Sequence, residues 1–273
     1  VKILDMDDLL SKRYYRQAEM ENLDDSVLGQ IRNRIPDLFI SVVAKWKLMK
    51  KLLRFEARMM EKYELQVVKE FDKVFFCSAT DKEEFNRKSS YQADCVHVAV
   101  DLEYFHRPEG REYDAKTIVY LGNIDIAANR DTLFYLAEKI MCKLLKRDSA
   151  YKLLVVGNCS QETYQKFRHY HFIEFSFRVD DIRPFVQSCV ALATPIQYGS
   201  GIKIKIIEAM AMGVPVITNQ YGVEGLDVHS DQELMVCETD EQFVDAIMEI
   251  SGNEQRHGLI AAKGREYVEK YHS

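Results

Sequence analysis

The sequence holds no Cys-x-x-C pair, and its six cysteines, Cys77, Cys95, Cys142, Cys159, Cys189 and Cys237, are scattered. That spacing excludes a zinc-ribbon or stapled disulfide framework and fits thiols kept reduced, as in a cytoplasm. Cys77 and Cys189 lie in apolar runs, where a thiol is usually a small buried hydrophobe. No stretch of about 18 apolar residues occurs, so nothing in these residues reads as a bilayer-crossing helix. There is no surplus of basic residues either: the formal net charge is -6. A nucleic-acid binder normally carries the opposite balance, so no nucleic-acid partner is expected. Any phosphate chemistry must use locally placed lysines, arginines or backbone amides. His106, His169 and His171 lack metal-ligand spacing, and no metal site is expected. No strand–Gly-x-Gly-x-x-Gly–helix unit with an acidic residue about 20 positions on is found, which argues against a dinucleotide oxidoreductase.

What is present is an ordinary globular composition, 47% hydrophobic and 29% charged over 273 residues, enough for one large or two ordinary domains. From residue 115 onward, short apolar runs suited to strands (117–121, 151–156, 172–175, 190–193, 214–218) alternate with helical periodicity (130–145, 161–169, 202–212). That alternation predicts βαβ units and a parallel sheet. Two further helices are expected over 240–251 and 253–271. The first third reads differently: a strand at 2–5, a long helix at about 39–71 broken from its upstream neighbour near Pro36, strands at 74–77 and 95–100, and a helix at 81–88. Three strands are too few for a free-standing doubly wound domain. The chain opens Val-Lys-Ile-Leu-Asp, strand-like and without an initiator Met, so a chain beginning partway through its first domain is expected. Residues 101–115, with Pro108 and Gly110, read as the linker. The expected division is an N-terminal domain at 1–107 and a C-terminal domain at 108–273.

The most informative stretch is 194–217, Thr-Pro-Ile-Gln-Tyr-Gly-Ser-Gly-Ile-Lys-Ile-Lys-Ile-Ile-Glu-Ala-Met-Ala-Met-Gly-Val-Pro-Val-Ile. A strand ends near Pro195, a glycine-containing loop follows, and a helix runs to Gly213, a natural residue just past a helix end, with Pro215 beyond. Gly199 and Gly201 let the backbone approach a ligand closely. The free amides after Gly201 and the positive end of the helix dipole make an anion site. Lys205 and Glu208 are three apart and share a helix face, so a cation and a carboxylate can serve the two ends of one nucleoside diphosphate. The bland alternative for a short Gly-x-Gly before a helix is an amphipathic helix with solvated lysines.

This stretch resembles the donor-binding signature of the group 1 (family 4-like) glycosyltransferases, and other segments match in order. Val119-Tyr120-Leu121-Gly122-Asn123 with Asn129 is similar to the family's first strand and loop of the C-terminal domain. Leu153-Leu154-Val155-Val156-Gly157 is similar to its second strand, Val179-Asp180-Asp181-Ile182-Arg183-Pro184 to the segment that brackets the base, and Val223-Glu224-Gly225-Leu226 to a Glu-Gly loop. The resemblance implies an α/β fold of GT-B type, two Rossmann-like domains with the N-terminal one incomplete. It implies transfer of a sugar, with retention, from a nucleotide-diphosphate sugar to a glycan or lipid-linked glycan in surface polysaccharide synthesis, with no metal and no cofactor. Carried over by position, Glu208 would bind the donor ribose, while Lys203 and Lys205 would face the diphosphate with the amides of Gly201 and Ile202. The backbone around Phe177 and Val179 would hold the base, and Gly122 and Asn123 would line the cleft. Lys205, Glu208 and Asp8 are the catalytic candidates.

Three departures stand out. Ser200 occupies the first position of the family's common Glu-x7-Glu pair and, carried over by position, counts among the donor-binding residues. Asn123 stands in the region where many members carry an Arg and a Lys. Val98-Ala99 replaces a common Asn-Gly. The first and second changes point to a subfamily that relies on Lys203 and Lys205 for charge. Two alternatives stay open: a nucleotide-sugar epimerase on the same fold and, because Ser200 breaks the usual pair, a non-catalytic nucleotide-sugar binder.

Asp7 and Asp8 end the first expected strand, and strand C-terminal ends face the ligand cleft in open α/β sheets. A helix N-cap role for one of them is the competing reading. His97 falls in an apolar strand and reads as a core or edge residue. The basic segment Lys45, Lys47, Lys50, Lys51 and Arg54, interleaved with large apolar residues, reads either as a face for an anionic membrane at the inner leaflet or as a charged helix packed on the N-terminal domain.

Overall fold

The computed structural model describes residues 1–20, 46–106, 110 and 112–273. The expected break at Pro36, the first residues of the long helix at 39–45, Lys45, the side chain of Lys47 and Pro108 lie outside the described residues. The chain divides into two compact units, 1–97 with 198–202, and 98–197 with 203–273. The division falls at His97/Val98 rather than at 107/108, and the loop 198–202 groups with the first unit.

The first unit carries a parallel sheet of order β1-β2-β3, from β1 (Ile3–Asp7), β2 (Lys73–Phe76) and β3 (Asp94–Cys95). Helices α1 (Leu10–Glu19) and α2 (Trp46–Val67) pack on each other, and α3 (Ala79–Lys88) follows β2. Leu9, Val68, Val74, Phe76 and Phe85 form its core. The α2 stripe Met49, Leu53 and Ala57 recurs every four residues and is buried. Ser78 starts α3 by accepting from the Asp81 amide, satisfying one free donor of the first turn. β3 is shorter than the expected strand at 95–100, and His97 is exposed rather than seated in a strand. The cause lies in the partners of the following residues: the Val100 amide donates to the His272 carbonyl, and the His272 ring meets the Val98 carbonyl at 2.7 Å.

The second unit is built on a six-stranded, all-parallel sheet of order β6-β5-β4-β7-β8-β9. Its strands are β4 (Asp114–Leu121), β5 (Lys152–Val156), β6 (Ile173–Phe177), β7 (Cys189–Thr194), β8 (Val216–Thr218) and β9 (Met235–Val236). Every residue of β7 is buried, as a central parallel strand covered on both faces requires. The helical run after β4 is α4 (Ala127–Tyr135), a π-helical segment (Leu136–Met141) and α5 (Cys142–Arg147). The wider turn buries Leu136, Ala137, Ile140 and Met141 together. The remaining helices are α6 (Gln161–Phe167), α7 (Arg183–Gln187), α8 (Ile204–Ala211), α9 (Asp240–Gly252) and α10 (Glu254–Tyr271). α9 opens on a capping box between Thr239 and Gln242. Gly213 ends α8 with φ 66°, and the amides of Gly213 and Val214 donate back to Met210 and Ala209. No helix among the described residues is long and apolar enough to cross a membrane.

Candidate functional site

In an open parallel sheet, ligands bind beyond the carboxyl ends of the strands where the strand order reverses. In the second unit that point lies between β4 and β7, bordered by the loop after β4 and the helix after β7.

The loop after β4 is laced to its neighbours by backbone bonds. The Gly122 amide donates to Val156, the Ile124 amide to Asn158, and the Gly157 amide to Phe177. Asp125 braces the same loop by accepting from the Ser160 amide and from the hydroxyls of Ser160 and Thr163, both at 2.7 Å. These bonds hold the Asp125 carboxyl below its usual range against the opposing effect of burial. The strand ends approach so closely that a Cβ on Gly157, whose φ is 140°, would lie 2.1 Å from the Gly122 carbonyl oxygen. Gly157→Ala is therefore expected to destabilise the protein by roughly 2–4 kcal/mol, combining a forbidden backbone region with a backbone clash. Thermal melting checks this; an unchanged Tm would mean the two loops are not packed as described.

Phe177 sits at the end of β6 with φ 56°, rare for a non-glycine residue, and its ring is 40% exposed beside Tyr164 at 5.5 Å. Such strain persists where surrounding contacts over-determine it, and it clusters at ligand sites. Here Gly157 fixes the Phe177 carbonyl. Val179, two residues on, is half-buried.

On α8, Ile206, Ile207, Ala209 and Met210 face the core, which turns Lys205 and Glu208 together to the other side. The Lys205 ammonium donates to Asn129 Oδ1 at 3.1 Å and lies 4.7 Å from the centroid of the Tyr120 ring. Burial, then the charge of Lys203, pushes its pKa down to about 8, against the pull of Glu208. Burial raises the Glu208 carboxyl above the usual carboxylate range, partly offset by Lys205. Lys203 is the residue before α8; no side chain caps that helix, and the Ile206 amide of its first turn donates to the Lys203 carbonyl at 2.8 Å.

Gly122, Asn123, Phe177, Val179, Lys203, Lys205 and Glu208 thus belong to the second unit, whereas Asp8, Ser200, Gly201 and Ile202 group in the first. There the Ser200 hydroxyl donates to the Asp8 carboxylate, which also accepts from Arg13 at 3.1 Å. Arg16 donates to the Gly199 carbonyl at 2.7 Å, and a Cβ on Gly201 would lie 2.7 Å from that of Asp8. The serine at the position of the family's common glutamate is therefore held by a carboxylate from elsewhere in the chain. Asp8 is not the N-cap of α1; that position is Leu9, without a side-chain cap bond. The Asp125–Ser160–Thr163 brace leaves no signal in the sequence, because its members lie on different elements, and Tyr120 is visible there only within the strand-and-loop motif. Asn129 was visible only as part of a motif.

The all-parallel sheet and flanking helices of the second unit make a Rossmann-like domain, and solved structures of similar fold extend this to the GT-B class. TarM of S. aureus, solved with UDP, superposes with a TM-score of 0.65 at 16% identity, covering 78% of this chain and 44% of that one. HepE of Anabaena, solved with UDP and glucose, gives 0.63 at 13% identity, covering 90% and 80%. The family model described as "Glycosyl transferases group 1" matches residues 115–253, and the chain belongs to that family. A Klebsiella pneumoniae protein described as an uncharacterized 44.6 kDa protein in the cps region is 21% identical over 232 residues, 81% of this chain and 58% of that protein. The chain thus spans less than two thirds of that curated relative and less than half of TarM.

Proposed function

We propose that the protein transfers a sugar, with retention of configuration, from a nucleoside-diphosphate sugar to a glycan or lipid-linked glycan in surface polysaccharide synthesis. The observation that carries this reading is the Lys205–Glu208 pair on one face of α8, at the strand-order reversal and beside the loop after β4. Glu208 accepts from the ribose hydroxyls. Lys203 and Lys205 neutralise the diphosphate, including the charge that develops on it as the sugar leaves. The loop at Gly122 and Asn123 lines the cleft, and the backbone near Phe177 and Val179 receives the base. The leaving phosphate takes the acceptor proton, and neither metal nor cofactor enters the scheme. UDP in the TarM and HepE structures supports the donor class, and the relative from a cps region supports the pathway. Asp8, with Ser200, is assigned to the sugar or acceptor side.

Acceptor-dependent release of nucleoside diphosphate tests the proposal. Asp8→Asn should lower turnover while leaving nucleotide affinity in place. Donor isomerisation without acceptor would favour an epimerase instead, and binding without any release a non-catalytic binder.

A membrane surface is a second reading, favoured by the exposed face of α2. There Lys51, Arg54, Arg58 and Lys62 flank Phe55, Met59 and Tyr63, which are 51–61% exposed. Of the apolar residues in the expected segment, Met49 and Leu53 are buried, so this face lies further along the helix than the sequence suggested. Binding to anionic but not neutral vesicles, weakened by high salt, is the expected flotation result. Binding that ignores lipid charge would remove the idea.

A further inference from the structure

We propose that Asn129 is a positioning residue of the donor site, whose side-chain amide ties the loop after β4 to Lys205 and sets where the ammonium meets the diphosphate. This rests on the reading above that Lys205 faces the diphosphate.

The geometry of the amide carries the inference. Asn129 Nδ2 donates to the Asn123 carbonyl at 3.0 Å, while its Oδ1 accepts from Lys205 at 3.1 Å. A carbonyl only accepts and an ammonium only donates, so just one orientation of the amide satisfies both, and each partner fixes the other's. The Asn129 backbone is held as well, its carbonyl accepting from the Tyr120 hydroxyl at 2.9 Å. Gly122 completes the seat: a Cβ there would lie 3.0 Å from Asn129 Cγ. One half-buried side chain therefore touches both halves of the site, although Asn129 and Lys205 are 76 residues apart in sequence.

Two physical consequences follow. A lysine side chain has large rotamer freedom, and holding its ammonium before the ligand arrives removes that cost from binding. The holder is also neutral. A carboxylate at this place would fix the ammonium equally well but would cancel the charge a diphosphate needs. Asn129 sets direction without spending charge, and the ring of Tyr120 beneath the ammonium adds attraction of the same uncharged kind. The charged groups that bear on Lys205 are Lys203, which opposes its protonation, and Glu208, which favours it.

The test compares nucleoside, nucleoside monophosphate and nucleoside diphosphate binding by calorimetry, from pH 6 to 10, for the wild type, Lys205→Met, Asn129→Leu and Asn129→Asp. Asn129→Leu should lose about tenfold in nucleoside diphosphate affinity, with nucleoside affinity held. Asn129→Asp, which keeps the size and the acceptor for Lys205 but loses the donor to the Asn123 carbonyl, should, in a variant whose melting shows it folded, move the alkaline loss of nucleoside diphosphate binding to higher pH and weaken that binding at neutral pH. If Lys205→Met keeps the diphosphate preference, the underlying reading fails. If Lys205→Met loses it while both Asn129 variants bind as wild type with an unmoved alkaline limb, Asn129 positions nothing and this proposal alone is overturned.

Discussion

Glu208→Gln is expected to weaken nucleotide binding by roughly ten- to a hundredfold. A carboxylate accepting hydrogen bonds from a ribose diol is a charge-assisted acceptor worth about 1.5–3 kcal/mol, and the neutral amide keeps shape while losing that charge and one acceptor. The position supports the assignment: α8 buries Ile207 and Ala209 on either side of Glu208 and leaves its carboxylate on the face of Lys205. Because burial raises the Glu208 pKa, the group protonates earlier on acidification than an ordinary carboxylate. Donor affinity should therefore begin to fall at a higher pH than the usual carboxylate range. Calorimetry on a folded Glu208→Gln protein with undiminished affinity would remove Glu208 from the ribose.

Replacing Lys205 should separate function from stability. With a pKa lowered to about 8, the ammonium is charged at neutral pH but held at a cost. The sign follows from proton counts. Between about pH 8 and the ordinary lysine value, the unfolded chain binds more protons than the folded one, so this group's contribution to stability rises with pH across that window. Below it, the charged lysine costs at most about 3 kcal/mol, reduced by the water that reaches a half-buried side chain. Lys205→Met should then melt at a higher temperature than the wild type at pH 7, while losing affinity for the nucleoside diphosphate far more than for the nucleoside. In the wild type, affinity for the diphosphate should decline as pH rises through about 8. A Lys205→Met protein that melts lower, or that loses nucleoside and diphosphate binding equally, would contradict this account.

The second unit was readable from sequence because its strands are short apolar runs and its helices amphipathic. β5 and β7 follow the expected runs within a residue, and Gly213 stops α8 where the sequence puts it. α1 was not readable because its buried face is made of Ser11, Gln17 and Ala18, which leave no apolar period. Its place comes instead from Ser11, whose amide and hydroxyl both donate to the buried Glu64 carboxylate 53 residues away. β9, with two residues, is too short to carry a pattern. The apolar run at 95–100 looked like a longer strand because periodicity reports extended backbone without naming its partner, and His272 supplies that partner for Val98 and Val100.

The candidate site divides the same way. Lys205 and Glu208 were legible as a pair from helix spacing alone. Asn129 under Lys205, Ser160 and Thr163 on Asp125, and Asp8 on Ser200 join residues distant in sequence, and only the fold brings them together.

Thermal unfolding of the protein against a panel of UDP-, GDP-, dTDP- and ADP-sugars tests the central claim most directly. One donor class at about a hundred times its Kd should stabilise the native state by about 2.7 kcal/mol, raising Tm by roughly 5–10 °C, and the shift should vanish in Glu208→Gln. A panel in which no nucleotide sugar moves the Tm, or in which Glu208→Gln responds as the wild type does, would contradict the assignment of this site.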